Sequence, residues 1–177
     1  IVVHGGGKAI SRAMDEAGIE PRFVQGRRYT DEPTLSIVER VLATELNHEL
    51  AAKIEEFGGR AMSLNFCSTN VLFGEPLTLT NQSGEPIDLG RVGEVTRVDR
   101  LTIDNLAYAG QVPVIPSMAM GEDGRKLNVN ADTAATAVAA AINAEKLVVL
   151  SDIPGVLADR DDPESLIHSL TATEARR

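Results

Sequence analysis

Four short runs in this 177-residue sequence carry residue types suited to gripping an anion. The first is His4-Gly5-Gly6-Gly7, three glycines between the apolar Ile1-Val2-Val3 and a helical pattern that begins at Lys8. Glycine lets backbone N–H groups approach an anion closely, and a helix N-terminus adds partial positive charge. A tight strand-to-helix turn also needs glycine for its own geometry. The run is not a Walker phosphate loop: Ala9 stands where Ser or Thr should follow Lys8, and the upstream glycine is missing. Lys8 reads as a solvated helix residue.

The second run is Gly26-Arg27-Arg28-Tyr29-Thr30-Asp31. Of two adjacent arginines in a loop, one can turn inward while the other stays in water, and a guanidinium fork matches a planar carboxylate. The pair would equally suit a surface answering nearby acids. The third is Leu127-Asn128-Val129-Asn130-Ala131-Asp132. If it is extended, residues 128, 130 and 132 share one face, and the asparagine amides offer donors and acceptors to an amide-bearing ligand. Asp132 would then cap the following helix or reach over a site. The fourth is Leu150-Ser151-Asp152-Ile153-Pro154-Gly155-Val156-Leu157, a turn after an apolar run, where open α/β sheets bind ligands.

The elements that must hold these runs alternate. Ile1–His4 reads as the tail of a strand and 8–17 as a helix with Ile10, Ala13, Met14 and Ala17 on one face. A long helix is expected over 34–57, closed by Gly58-Gly59. Strands are expected at 61–66, 77–80, 93–98, 112–115 and 147–150, the second and third joined by the turn-rich 81–86. Helices are expected at 100–108 and 133–144. Continuous apolar strands suit a sheet covered on both faces. The pattern predicts an α/β sandwich with a β-hairpin inserted between its units. The opening inside a strand, and the helix start at Thr171 with Glu174 at capping-box spacing, suggest that the chain is part of something longer.

Composition narrows the function. The formal net charge is −9 and no Trp is present, which argues against nucleic acid and anionic membrane partners. No apolar run reaches the roughly 18 residues of a membrane span, and no secretory pattern opens the chain, so a cytoplasmic address is expected. A lone cysteine, Cys67, allows no internal disulfide and reads as a structural thiol.

In this order, VVHGGG, GRRYT, DLGRVGEV, QVPVIPSMAM, LNVNADTAATAVA and LVVLSDIPGVL resemble the amino-acid kinase family, and within it the acetylglutamate kinases. The resemblance implies a three-layer αβα sandwich around a mostly parallel sheet, with the inserted hairpin as a lid. It implies an acetylglutamate-binding domain over 1–146 and the start of an ATP-binding domain over 147–177. It implies ATP-dependent phosphorylation of the side-chain carboxylate of N-acetyl-L-glutamate in arginine biosynthesis, with Mg²⁺ carried by the nucleotide and a homo-oligomeric assembly. Gly6 and Gly7 would touch the acetylglutamate through backbone amides. Arg28 would take its α-carboxylate, and Asn128, with Asn130 nearby, the acetylamino end. Asp132 would organise catalytic lysines, and Asp152, Ile153, Pro154, Gly155, Val156 and Leu157 would line the nucleotide site; no residue is assigned to a metal. The family's two catalytic lysines have no counterpart among Lys8, Lys53, Lys126 and Lys146. Asn65 to Asn70 also stands where relatives carry a glycine-rich turn. A non-catalytic acetylglutamate- or partner-binding module is the alternative in another class. A kinase for another acylated acidic amino acid, such as an aminoadipate derivative, is the alternative within the same class.

Overall fold

The computed structural model describes every residue except Asp152, Pro154, Arg160 and Arg177. Residues Ile1–Leu147 form one compact unit and Val148–Arg177 a second. The first unit is an α/β fold built on a parallel sheet. Strand β1 (Val2–His4) leads into helix α1 (Gly7–Glu16), whose buried face is Ile10, Ala13 and Met14. A tight hairpin follows, β2 (Phe23–Val24) and β3 (Arg27–Arg28). Its turn residues Gln25 and Gly26 both have positive φ, 48° and 77°, the conformation a two-residue hairpin turn demands.

Helix α2 (Glu32–Glu39) starts where the Asp31 carboxylate accepts from the Thr34 N–H at 2.9 Å, with a proline in its first turn. It widens into a π-helical stretch over Arg40–Leu46 and continues as α3 (Asn47–Glu56). The long helix expected over 34–57 is therefore present, but it is not uniform. Gly58, at φ 81°, ends it, with the Gly59 N–H returning to Ile54 O at 2.9 Å.

Strand β4 (Ala61–Ser63) and strand β9 (Val112–Pro116) complete the open sheet, in the order β1-β9-β4 and all parallel. Between them come β5 (Leu72–Pro76), a small hairpin of β6 (Leu79–Thr80) and β7 (Pro86–Ile87), β8 (Val92–Val98), and α4 (Arg100–Tyr108). After β9, the chain passes through Ser117 into β10 (Met118–Gly121), returns as β11 (Lys126–Val129), and enters α5 (Ala131–Ala141). Strands β10, β11, β8 and β5 close on one another.

The run β9-Ser117-β10 is the spine of the unit. Met118 packs with Ile10, Met14, Leu35, Val38 and Leu42 in one core cluster. Ile115 and Ala119 pack with Leu64, Leu72, Ile103, Val129 and Val138 in another. Alternation along the strand thus supplies two cores, and each large side chain fully buried there contributes about 1.5–3 kcal/mol.

Several sequence expectations change. Segment 77–80 does not pair with 93–98: Leu79 and Thr80 pair with Ile87 and Pro86, while β8 pairs with β5, which the sequence reading missed. Gly74 and Pro76 hid β5, yet Gly74 is required there, because a Cβ would overlap the Glu94 carbonyl. Residues 147–150 form no strand; Val148 and Leu150 are 68% and 92% exposed. An apolar run supplies a reason for burial but not the neighbouring backbone a strand needs, and no ladder among the described residues takes it. In the second unit, Leu157 and Leu166 form an isolated antiparallel bridge. Thr171 and Glu174 cap each other's N–H groups, at 2.8 and 3.2 Å, as their spacing predicts.

Two outcomes follow. Gly90 (φ 67°) abuts Thr30 so closely that a Cβ would overlap the Thr30 carbonyl, whereas Gly124 (φ 75°) faces open space. Gly124→Ala should cost about 1 kcal/mol from backbone strain alone, and Gly90→Ala clearly more; denaturant unfolding of the two variants measures the difference. His4 is buried, and burial holds its imidazole below the ordinary histidine value of 6.5 despite its backbone contact with Gly5. A depressed folded pKa contributes stability that is whole above pH 6.5 and is lost as the pH falls through the folded value. Stability should therefore fall as the pH drops below about 6.5, by at most ~1.4 kcal/mol per pH unit from this one group, with the slope flattened in His4→Gln. The depressed carboxylates Asp31, Asp99 and Glu174 act at lower pH, below 3.8 to 4.5.

Candidate active site

Ser117 brings the ends of two strands together. Its N–H donates to His4 O at 3.0 Å, and its carbonyl accepts from the Val129 N–H at 3.0 Å. The turn after β1 and the turn after β11 therefore emerge side by side, each opening into a helix. Gly5 permits the contact: a Cβ there would lie 2.9 Å from the Ala131 Cβ. Gly6 is held as tightly on its other flank, where a Cβ would come 2.8 Å from Leu42 Cδ2 and overlap Leu46 in the π-helical stretch. Gly7 meets nothing within 4 Å, so its freedom faces the site rather than the core.

Between the two helix starts lies a cleft of about 260 Å³ lined by Gly5, Gly6, Gly7, Arg27, Arg28, Ser117, Asn128 and Asn130, with Ile10, Phe23, Leu42 and Val92 as its apolar wall. Helix α1 has no side-chain cap, so N–H groups of its first turn remain available to an anion. The only charged side chains among the described lining residues are two arginines, within a chain of net charge −9. The cleft thus favours an anion although the whole surface does not.

Arg28 is buried, and burial lowers its pKa from the ordinary arginine value, yet a guanidinium stays cationic in proteins. It donates to Met14 Sδ at 3.2 Å, Gly7 O at 3.2 Å and Ser11 Oγ at 2.8 Å, and lies over the Phe23 ring at 4.8 Å. Three of its N–H donors are thereby engaged and two remain. Among the described residues no carboxylate pairs with it. A buried cation with spare donors beside an open cleft is suited to an anionic ligand.

The sequence-predicted residues divide clearly. Gly6, Gly7, Arg28, Asn128 and Asn130 all line this one cleft. Asp132 does not: β11 ends at Val129, so 128, 130 and 132 do not share an extended face, and Asp132 sits exposed in the first turn of α5. Asn130, not Asp132, is the N-cap, its Oδ1 accepting from the Thr133 N–H at 3.0 Å. Asp152 and Pro154 lie outside the described residues. Ile153 and Val156 are exposed, Gly155 has φ 142°, and Leu157 forms the bridge to Leu166.

Gly5 entered the sequence reading only within the His4–Gly7 run, and Thr30 and Ser117 were given no role of their own. Thr30 was legible only as part of the GRRYT run, and Ser117 had no local signal, because its role rests on two backbone hydrogen bonds. The Asn65 turn has its own solution. Its Nδ2 donates to Ala43 O at 2.9 Å and its Oδ1 accepts from the Cys67 and Ser68 N–H groups, so one amide replaces glycine flexibility with hydrogen bonds.

Known proteins match this arrangement. Acetylglutamate kinase from Methanopyrus kandleri is 47% identical over 167 residues, covering 94% of this chain and 68% of that protein. The acetylglutamate kinases of Methanosphaera stadtmanae and Synechocystis sp. are 41% and 44% identical over 99% of the chain, which spans 61% and 57% of their lengths. The chain thus spans about three-fifths of the length of the curated relatives it matches. Among solved structures, the smu.665 protein of Streptococcus mutans superposes with a TM-score of 0.79 at 29% identity, covering 89% of this chain and 61% of the other. N-acetylglutamate synthase from Neisseria gonorrhoeae, complexed with coenzyme A and L-arginine, gives 0.71 at 25%, covering 98% and 40%. The profile of the amino acid kinase family matches residues 1–177, the glycine turn and the α5 start included, and the chain belongs to that family.

Proposed function

We propose that this chain forms the acetylglutamate-binding part of an ATP-dependent acetylglutamate kinase. The observation that carries the reading is the convergence of Gly6, Gly7, Arg28, Asn128 and Asn130, from three separate segments, on one cleft with no acid among its described lining residues. A dicarboxylate with an amide between its charges fits that set. Arg28 takes the α-carboxylate, Asn128 and Asn130 face the acetylamino group, and the side-chain carboxylate points to the α1 N-terminus.

In this reading the acceptor carboxylate is already a nucleophile at neutral pH and needs no general base. The chain contributes positioning and electrostatic stabilisation by two helix N-termini, the part that phosphoryl transfer chiefly requires. Asp132, exposed at the start of α5, would act by orienting cationic groups and not as a base. The unit 1–146 serves as the acetylglutamate domain, a three-layer αβα sandwich whose β6–β7 hairpin is the lid. The turn at 152–157 opens a nucleotide domain. Among the described residues no group of three or more His, Cys, Asp or Glu could hold a metal, so Mg²⁺ is assigned to the nucleotide phosphates. No described helix is long and apolar enough to cross a membrane; a cytoplasmic address and a homo-oligomeric state belong to the same proposal.

The natural full-length protein should release ADP from ATP only when N-acetyl-L-glutamate is present. Absence of acetylglutamate-dependent release would overturn the reading. Arg28→Lys keeps the charge and loses the fork. A hydrogen bond to a charged group contributes about 1.5–3 kcal/mol, so acetylglutamate affinity should fall about 10- to 100-fold. Calorimetry alongside thermal unfolding checks this. Unchanged affinity with a lowered melting temperature would leave Arg28 as a fastener of α1 to β3 and nothing more.

A further inference from the structure

We infer that Thr30 is a positioning residue that fixes the polarity of the Asn128 amide, so that Asn128 presents its oxygen to the ligand and selects substrates bearing an amide N–H. The inference rests on the acetylglutamate reading above and deepens it.

Thr30 is fully buried and does not line the cleft. Its backbone is clamped on both sides: the Thr30 N–H donates to Leu89 O at 3.1 Å, and the Thr30 carbonyl accepts from the Arg91 N–H. Gly90 sits flat against that carbonyl with no room for a side chain. The hydroxyl therefore has little freedom to wander. It donates to Arg28 O at 2.9 Å, and because a carbonyl only accepts, the single hydroxyl proton is used there. What the oxygen has left is acceptance.

Asn128 lies 3.1 Å from that oxygen. Its side-chain oxygen cannot face a hydroxyl whose proton points elsewhere, since two sets of lone pairs would meet. The amide must turn Nδ2 to Thr30, whichever way an amide is drawn. The Asn128 backbone is fixed as well, its N–H donating to Arg91 O at 2.8 Å. Oδ1 is then the acceptor offered at the cleft wall, and among the described residues nothing donates to it. A ligand N–H is the matching group. An analogue with an ester oxygen in its place would set lone pairs against Oδ1. The same threonine also holds the Arg28 carbonyl, so the α-carboxylate anchor and the amide reader share one support.

The test uses the natural full-length protein, N-acetyl-L-glutamate, and its ester analogue 2-acetoxyglutarate. Wild type should bind the amide about tenfold to a hundredfold more tightly than the ester, the range expected for one unmatched buried acceptor. Thr30→Val should raise the KM for acetylglutamate about tenfold with kcat little changed, the pattern of lost ground-state binding, and should shrink the amide preference towards one. Thr30→Ser should restore both. Asn128→Ala, which leaves the Thr30–Arg28 bond in place, reads the acceptor independently and should also abolish the preference, so the test survives a Thr30→Val protein that fails to fold. A preference that persists in Thr30→Val or in Asn128→Ala overturns the inference while leaving the kinase reading intact. Wild-type protein that binds acetylglutamate but does not prefer it to the ester likewise overturns the inference alone. Failure of wild type to bind acetylglutamate at all overturns the kinase reading, and this inference with it.

Discussion

The arrangement of the site depends on how closely two strand ends approach each other at Ser117. One backbone N–H and one carbonyl of this residue tie the end of β1 to the end of β11. Everything that follows each strand, glycine turn and α1 on one side, Asn130 and α5 on the other, is placed by those two bonds. The approach tolerates almost no added volume, since the Cβ that Gly5 lacks would fall 2.9 Å from Ala131. Three consecutive glycines are therefore three separate demands. The first lets two helix starts touch, the second lets the π-helical stretch press in, and the third leaves backbone open to a ligand.

Those demands explain how an acidic protein can present a cleft suited to an anion. The net charge of −9 acts at long range and is screened within about 8 Å in physiological salt. The cleft works at contact distance, where two helix N-termini and a buried guanidinium outweigh distant carboxylates. Two acids that follow the arginine hairpin are employed elsewhere: Asp31 caps α2, and Glu32 pairs with Arg91. Asp123 lies within ion-pair distance of Arg125. Charge is thus sorted by position.

How much could be read in advance follows from what each feature depends on. Helix α4 was legible to the residue because its limits are local: Asp99 accepts from the Thr102 N–H, and Gly110 at φ 71° stops it. The five cleft residues were legible because their types allow ligand chemistry and the resemblance to the amino-acid kinases chose among the readings those types left open. Strand β5 was not, because Gly74 and Pro76 weaken local propensity and only the pairing with β8 makes the segment extended. The cap of α5 was misplaced, because the choice between Asn130 and Asp132 turns on where β11 stops, a tertiary fact. The run Leu147–Leu150 shows the converse, in which composition suggested a strand that finds no ladder among the described residues.

Buried polar groups show how tightly the core behind the glycine turn is specified. Asn47 is wholly buried, donating to His4 Nε2 at 3.1 Å and to Val114 O at 3.0 Å. One amide thereby joins α3, β1 and β9. Because Nδ2 serves both acceptors, His4 Nε2 must carry a lone pair and the imidazole proton must sit on Nδ1, beside Gly5 O at 3.2 Å. Protonation of His4 would set a new N–H against that amide and force it to rotate. The rotation would in turn remove one of the two donors to Val114 O, which would keep only the Leu64 N–H at 2.8 Å, in the middle strand of the parallel sheet. Asn47 Oδ1 has no partner among the described residues, so the amide already sits where rotation would satisfy one atom and orphan another. Burial and the Asn47 amide thus both favour a neutral His4 in the strand that carries the glycine turn. The imidazole reads as a strut whose charge state the fold dictates, and the chemistry of the cleft begins only after it, at Gly5.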